Sequence, residues 1–240
     1  MKIAWLALLL AVVAVLLLLL SGIGVQLAWW KFTIGFALLR WAAYFGLAAA
    51  VLGVIMLIIP ATRRGHVVTL VIALIVGLGV AWMPYHWMQR ARSVPAIHDI
   101  TTDTVDPPAF VAVLPLRRDA PNSAVYGGPK IAAQQKAAYP DIKPLVLQQP
   151  PARAFELALT AAKDMGWVID ASVPAEGRIE ATATTSWFHF KDDIVVRIRA
   201  SGSGSVVDVR SESRVGGSDV GTNAARVRAY LAKLTADTKV

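Results

Sequence analysis

The side chains with the most chemical potential lie between positions 210 and 226. Arg210, Arg214 and Arg226 bracket a loop that carries Gly216-Gly217 and Ser218-Asp219, and Asn223 follows it. Ser218-Asp219 stands where a helix N-cap belongs, just ahead of the apolar series Ala224, Val227, Leu231 and Leu234. Guanidinium forks and helix N-termini both suit carboxylate or phosphate. In one arrangement, therefore, Arg210, Arg214, Ser218, Asp219, Asn223 and Arg226 converge on an anionic ligand. In the other, Asp219 or Ser218 caps the helix, the glycines take positive φ, and the arginines pair with Glu180, Asp208 or Asp219. The spacing fits both arrangements.

Other chemistry is sparse. The chain has no cysteine, no G-x-S-x-G, no H-E-x-x-H and no P-loop, and His66, His86, His98 and His189 show no metal-ligand spacing. A Ser-His-Asp set can be drawn from Ser211 or Ser213, His189 and Asp208, but such triples arise in most sequences of this size. Asp192-Asp193 lacks the regularly spaced oxygen ligands of a calcium loop and reads as a turn. Trp187-Phe188-His189-Phe190 reads as core and hairpin rim, with an apolar ligand or the membrane surface as the alternative. The expectation is no cofactor, no metal, and an enzyme only as the second choice: a membrane-associated hydrolase built on the 210–226 cluster.

These residues are carried by two very different stretches of chain. Of 240 residues, 56% are hydrophobic and the mean hydropathy is +0.54, too apolar for an ordinary soluble domain. Every one of the 16 acids lies at or beyond Asp99, whereas the first 89 residues hold only Lys2, Lys31, Arg40, Arg63 and Arg64 as fixed charges. The formal charge of +8 thus divides into +5 for that stretch and +3 for the remainder. Residues 3–30, 41–62 and 65–89 contain no Asp, Glu, Lys or Arg. Each exceeds the roughly 20 apolar residues needed to cross a bilayer as a helix, and three transmembrane helices are expected near 3–23, 36–59 and 67–87. The first is a retained anchor rather than a signal peptide, because its apolar run is long and no A-x-A-like site follows. Small residues recur at helical spacing (Ala7, Ala11, Ala14; Gly46, Ala50, Gly53; Ala73, Gly77, Ala81) and read as packing stripes. With no acid among them, the segments read as an anchoring bundle rather than a transporter. Positive charges nearly balance across the two sides. The Arg63-Arg64 pair in the shortest loop, and the aromatics Trp29, Trp30, Trp41, Tyr44, Trp82, Tyr85 and Trp87 at the opposite interface, favour a cytoplasmic amino terminus. Three crossings then put the polar region outside the cytoplasm, in a periplasmic or otherwise extracytoplasmic position.

The polar region begins with a segment rich in Pro, Asp, Thr and Asn, whose apolar residues 110–116 are expected to pack on the domain surface, and a short helix over 130–138. From 143 the pattern becomes strand 145–147, helix opened by Pro150-Pro151 and closed by Gly166, strands 167–172, 178–185, 193–200 and 206–213, then helix 221–234. This is an α+β module, β-α-β-β-β-β-α, with an antiparallel sheet and both helices on one face. The domain division expected is anchor 1–92, linker and surface-packed segment 93–142, and module 143–240. Alternation turns Ile179, Ala181, Ala183, Ile194, Val196, Ile198, Val207 and Val209 toward the helices. It gives the other face Arg178, Glu180, Arg197, Arg199, Asp208, Arg210 and Glu212, read as a solvated surface of opposite charges facing each other across strands. On the last helix, Ala224, Val227, Leu231 and Leu234 take one face and Asn223, Arg226, Tyr230 and Lys233 another.

Several stretches in order carry a resemblance: Val125-Tyr126-Gly127-Gly128, Ala138-Tyr139-Pro140-Asp141-Ile142, Met165-Gly166-Trp167, Arg178-Ile179-Glu180-Ala181-Thr182, Phe190-Lys191-Asp192-Asp193, Asp208-Val209-Arg210-Ser211, and the run 214–226. Over roughly residues 96–236 the chain resembles the bacterial and plastid domain-of-unknown-function family 1499. The resemblance implies no established reaction. It does imply an N-terminal membrane segment or lipid anchor in many members, and a Gly where this chain has His189. The expected function is therefore that of a membrane-anchored protein. Its extracytoplasmic module binds a partner protein or an anionic small ligand. The lipid bilayer is its other partner, and nucleic acid is excluded by a domain charge of only +3 without a basic, aromatic-interleaved stripe.

Overall fold

The computed structural model describes residues 2–238, with side chains from Ala4 onward, so the Lys2 side chain lies outside what is described. Two compact units emerge. One holds the chain up to Arg90 together with Ser186–His189, and the other holds Ala91–Thr185 and Phe190–Val240.

The first unit contains α1 (Lys2–Gln26), α2 (Phe32–Ile58), the single turn α3 (Pro60–Arg63) and α4 (Val67–Ser93). α1, α2 and α4 are long and apolar enough to cross a membrane. Their seams are made of small residues: Ala4, Ala7, Ala11, Ala49 and Ala73 meet around Met56 and Leu70, and Ala14 and Ala42 meet at Val80. A Cβ on Gly46 would stand 2.7 Å from the Gly77 carbonyl oxygen, and one on Gly77 would strike the Gly46 carbonyl. Only glycine permits that approach, which is how helices associate where lipid offers no hydrophobic driving force. Large apolar side chains such as Leu9, Leu16, Val51, Ile75 and Leu78 point outward. The loop Ser186–His189 belongs to this unit. The Trp187 indole N–H donates to Ser21 Oγ at 3.2 Å, the Gln26 amide donates to the Trp187 carbonyl at 2.9 Å, and Phe188 meets Phe36 edge-on at 4.9 Å. This loop between two strands is a hairpin rim as expected, and its Trp187 and Phe188 in addition pack on α1 and α2. His189 sits at φ +52°, in the left-handed region where the glycine implied by the resemblance is unstrained.

The second unit is a six-stranded antiparallel sheet. Its strands are β1 (Asp99–Thr101), β2 (Leu145–Leu147), β3 (Val168–Val173), β4 (Arg178–Thr184), β5 (Lys191–Ser201) and β6 (Gly204–Ser213), in the order β1-β6-β5-β4-β3, with β2 also pairing β6. Helix α5 (Gly128–Ala138) precedes β2, α6 (Pro151–Asp164) follows it, and α7 (Thr222–Asp237) ends the chain. From β2 onward the order is β-α-β-β-β-β-α, as expected. α6 starts with Pro151 in its first turn, and Gly166 leaves it at φ +73°.

Helices α6 and α7 close one sheet face. Phe155, Ala158, Ala161, Ala162, Ile179, Ile194, Val196, Val207, Val209, Val227 and Leu234 form the core there, and each fully buried large side chain contributes about 1.5–3 kcal/mol. Tyr230, set on a different face of α7 from the apolar series, is fully buried as well. It stacks on Trp167 at 4.9 Å and donates its hydroxyl to the Ala158 carbonyl at 2.8 Å. The indole and the buried carbonyl together outweigh the heptad-like pattern that set Tyr230 apart.

The opposite face departs most from expectation. Its centre is not solvated: Glu180, Asp193, Asp208 and Glu212 are all 0% exposed and Arg210 is 2% exposed, while Arg199, toward the end of β5, stays exposed. The segment 102–126 crosses it as a strap, setting Phe110 and Val113 on Val195. Of residues 110–116, Phe110 and Val113 thus pack on the domain as anticipated, while Val111, Leu114 and Leu116 stay exposed. Nor do opposite charges face each other throughout. Asp99 and Asp193 both stand directly across from Glu212, and Arg178 stands across from Arg197. Such like-charge pairs are unfavourable alone, so a third element must supply the counter-charges. Asp192-Asp193, expected as a turn, lies within β5.

Candidate functional site

The sheet divides the six candidate residues. Pleat alternation along β6 aims Arg210 at the strap and Ser211 at α7. Arg210 is sandwiched, its guanidinium 4.7 Å from the Phe110 ring centre and 5.6 Å from that of Tyr126. It holds Asp99 with two bonds of 2.9 and 2.8 Å, and also reaches the Ala124 carbonyl at 2.9 Å and Glu212 at 3.2 Å. Arg214 lies on the same side and grips Asp193 in bidentate fashion at 2.9 and 2.7 Å. Asp193 takes a second cation from the strap, Arg117, at 2.6 Å.

The other four residues gather at the start of α7. The Asp219 carboxylate accepts the Gly221 and Asn223 backbone N–H groups at 2.8 and 2.7 Å, and Ser218 Oγ accepts that of Val220 at 3.2 Å. These are the orphan donors of a helix start, satisfied by side chains. Burial pushes the Asp219 carboxyl above its usual range although those two N–H bonds pull it down. Asn223 is fully buried. Its amide donates to the His98 carbonyl at 2.8 Å and to Ser213 Oγ at 3.0 Å, and its oxygen accepts from Ser211 Oγ at 2.7 Å and from Arg226. Arg226 also binds Asp192 at 2.6 Å.

Arg210 and Arg214 thus face the strap and Arg226 faces the helices, so the three guanidinium groups do not meet at one anion. The partners foreseen for them are replaced by Asp99, Asp193 and Asp192. The capping by Asp219, the commitment of the arginines to internal carboxylates and the positive φ of Gly216 follow the second arrangement read from the sequence. The Ser-His-Asp set does not assemble either: Ser211 is engaged with Asn223 and Arg226 on the helix side, whereas Asp208 lies on the strap side, bound by Arg197 at 3.0 Å and Arg199 at 2.8 Å.

Sequence reasoning missed the centre of this network. Glu180 on β4 accepts three consecutive backbone N–H groups of the strap, from Val111, Ala112 and Val113, at 3.0, 2.9 and 3.0 Å, and pairs with Arg178. It caps the turn that leads into the short 3-10 helix Leu114–Arg117. That helix delivers Arg117 to Asp193 and, at 3.1 Å, to Glu212. Burial, then the neighbouring Asp99 charge, pushes the Glu212 carboxyl up to about 8 against the pull of Arg117 and Arg210. The available signal was Val195, a lone apolar residue in a charged row, matched by Phe110 and Val113 upstream.

A separate groove of about 630 Å³ runs between α6 and the end of β5, lined by Phe155, Leu159 and Ile198 with Glu156 and Glu176. Both carboxylates are paired, with Arg153 at 3.0 Å and Arg178 at 2.8 Å. Among the described residues no group of three metal-ligating side chains occurs.

The model of a family described as protein of unknown function (DUF1499) matches residues 99–234, more than half of the chain, and the chain belongs to that family. No curated protein matches it.

Proposed function

We propose that this DUF1499 member is a membrane-anchored, non-enzymatic protein whose polar unit works outside the cytoplasm by binding a partner protein. One observation carries the choice of a protein over an anionic ligand. Arg210, Arg214 and Arg226 are each committed to carboxylates of the chain itself, Asp99, Asp193 and Asp192. An incoming anion would have to displace a buried carboxylate and leave it unpaired, which costs several kcal/mol. The outer side of the strap, by contrast, offers Val111, Leu114 and Leu116 at 52, 46 and 52% exposure on a single turn beside the exposed Arg118. Apolar side chains clustered on a rigid turn suit a protein contact. The extracytoplasmic side rests on the Arg63-Arg64 pair and the aromatic residues at the opposite end of the bundle.

Affinity purification of the full chain, compared with a Leu114→Asp/Leu116→Asp variant, tests the reading. A partner recovered with the wild type and lost with the variant is the expected result. No partner with either, together with turnover of a metabolite by the purified protein, overturns it. A C-terminal alkaline phosphatase fusion is expected to be active, and an inactive one overturns the proposed side.

A further inference from the structure

We propose that residues 102–126 form a proton-controlled latch: the strap closes over the sheet while Glu212 carries a proton, and loosens when Glu212 gives it up. The geometry begins with three carboxylates in one row, Asp99 on β1, Glu212 on β6 and Asp193 on β5, directly opposed across neighbouring strands. They are 4, 0 and 0% exposed. The cations facing Glu212 are shared with its neighbours, although Arg210 also donates to Glu212 Oε2 at 3.2 Å. Arg210 on the same strand is bound to Asp99, and Arg117 from the strap is bound to Asp193. Arg117 Nη2 stands 3.1 Å from Glu212 Oε1 but outside hydrogen-bonding geometry, so that buried oxygen and the buried Arg117 Nε both lack a hydrogen bond. Tyr126, whose ring covers Arg210, likewise has a buried hydroxyl without a partner, and burial followed by the Asp99 charge pushes it up to about 12.

A carboxyl so placed is better accommodated neutral. Water admitted under a raised strap would solvate the carboxylate and return it toward its ordinary pKa of about 4.5. Opening therefore releases a proton and becomes easier as pH rises. The apolar hold of the strap is confined to Phe110, Val113 and the partly buried Ala124 on Val195, so opening works mainly against polar ties, the three N–H bonds to Glu180 and the Arg117–Asp193 pair. Linkage gives the form of the response. The opening equilibrium climbs by up to about tenfold per pH unit between about pH 5 and 8, then levels off.

The test is hydrogen exchange of the Val111, Ala112 and Val113 amides in the full chain in lipid nanodiscs at pH 6, 7 and 8. Wild type and Glu212→Gln are compared at the same pH so that intrinsic exchange cancels. The wild-type rate is expected to rise at least about fivefold per pH unit relative to the variant, and a constant ratio overturns the latch. Should the variant lose protection in α6, and so fail to fold, a carboxyl-carbon NMR titration of wild-type Glu212 decides. A midpoint near 8 supports the latch, and one below about 6 overturns it.

Discussion

The two faces of the sheet in the C-terminal unit are both covered, by opposite chemistry. Toward α6 and α7 the pleat presents Ile179, Ile194, Val196, Val207 and Val209, and closure is an area effect that needs no particular angle or partner. Toward the strap it presents Glu180, Asp193, Asp208, Arg210 and Glu212, and closure demands that each charge find its counterpart. Buried ion pairs add little net stability compared with apolar packing, yet losing one partner is expensive. The helix side should therefore tolerate graded change and the strap side should not.

Arg210→Met would break this contrast most severely. It leaves Asp99 without its bidentate partner and is expected to cost about 3–5 kcal/mol in chemical unfolding of the full chain. Leu234→Ala, a cavity on the helix side, is expected to cost about 2–4 kcal/mol, with no change in pH dependence. Glu180→Gln removes the charge that three strap N–H groups share. It should cost about 1–3 kcal/mol and raise hydrogen exchange at Val111, Ala112 and Val113 more than anywhere in α6.

The pH response separates the faces further. Glu212 is held up to about 8 in the fold against about 4.5 when exposed. Its contribution is therefore complete below about 4.5, is lost as pH rises toward 8, and is flat beyond. Asp141, held low by its bonds to Arg228, contributes in the opposite sense and is lost only as pH falls into the carboxylate range. Melting curves from pH 5 to 9 should show a decline that Glu212→Gln removes. The smallest effect is expected from Arg153→Ala on the outer side of α6. Its partner Glu156 and its own side chain are more than half exposed, and a change within about 0.5 kcal/mol is expected in the same assay.

The same contrast explains what was legible in the sequence. Segments whose burial depends on periodicity could be read directly: the three apolar helices, β2, β4, the apolar face of β5 and β6, and α6 with its Pro151 start and Gly166 end. Period-2 alternation also located Arg178, Glu180, Arg197, Asp208, Arg210 and Glu212 on one face. It could not show that the face is interior, because alternation records which side a residue takes and not what covers that side. That depended on the strap 102–126, whose Pro and Asp content resembles a solvated linker. Register was equally out of reach, and with it the acid row Asp99, Glu212 and Asp193 that decides which arginine pairs with which acid. Proximity in sequence suggested that the arginines of 210–226 form one cluster. The pleat, which sends Arg210 and Ser211 to opposite faces, separates them.

The central claim is that the charged face is an interior roofed by the strap rather than an open binding surface. The absence of cysteine allows a direct test with single substitutions, Val113→Cys and Leu114→Cys, in the full chain. Val113 is 0% exposed under the strap and its neighbour Leu114 is 46% exposed on top. At pH 6.5 maleimide labelling is predicted to be at least about a hundredfold slower at 113 than at 114, and equal rates at the two positions would contradict the account.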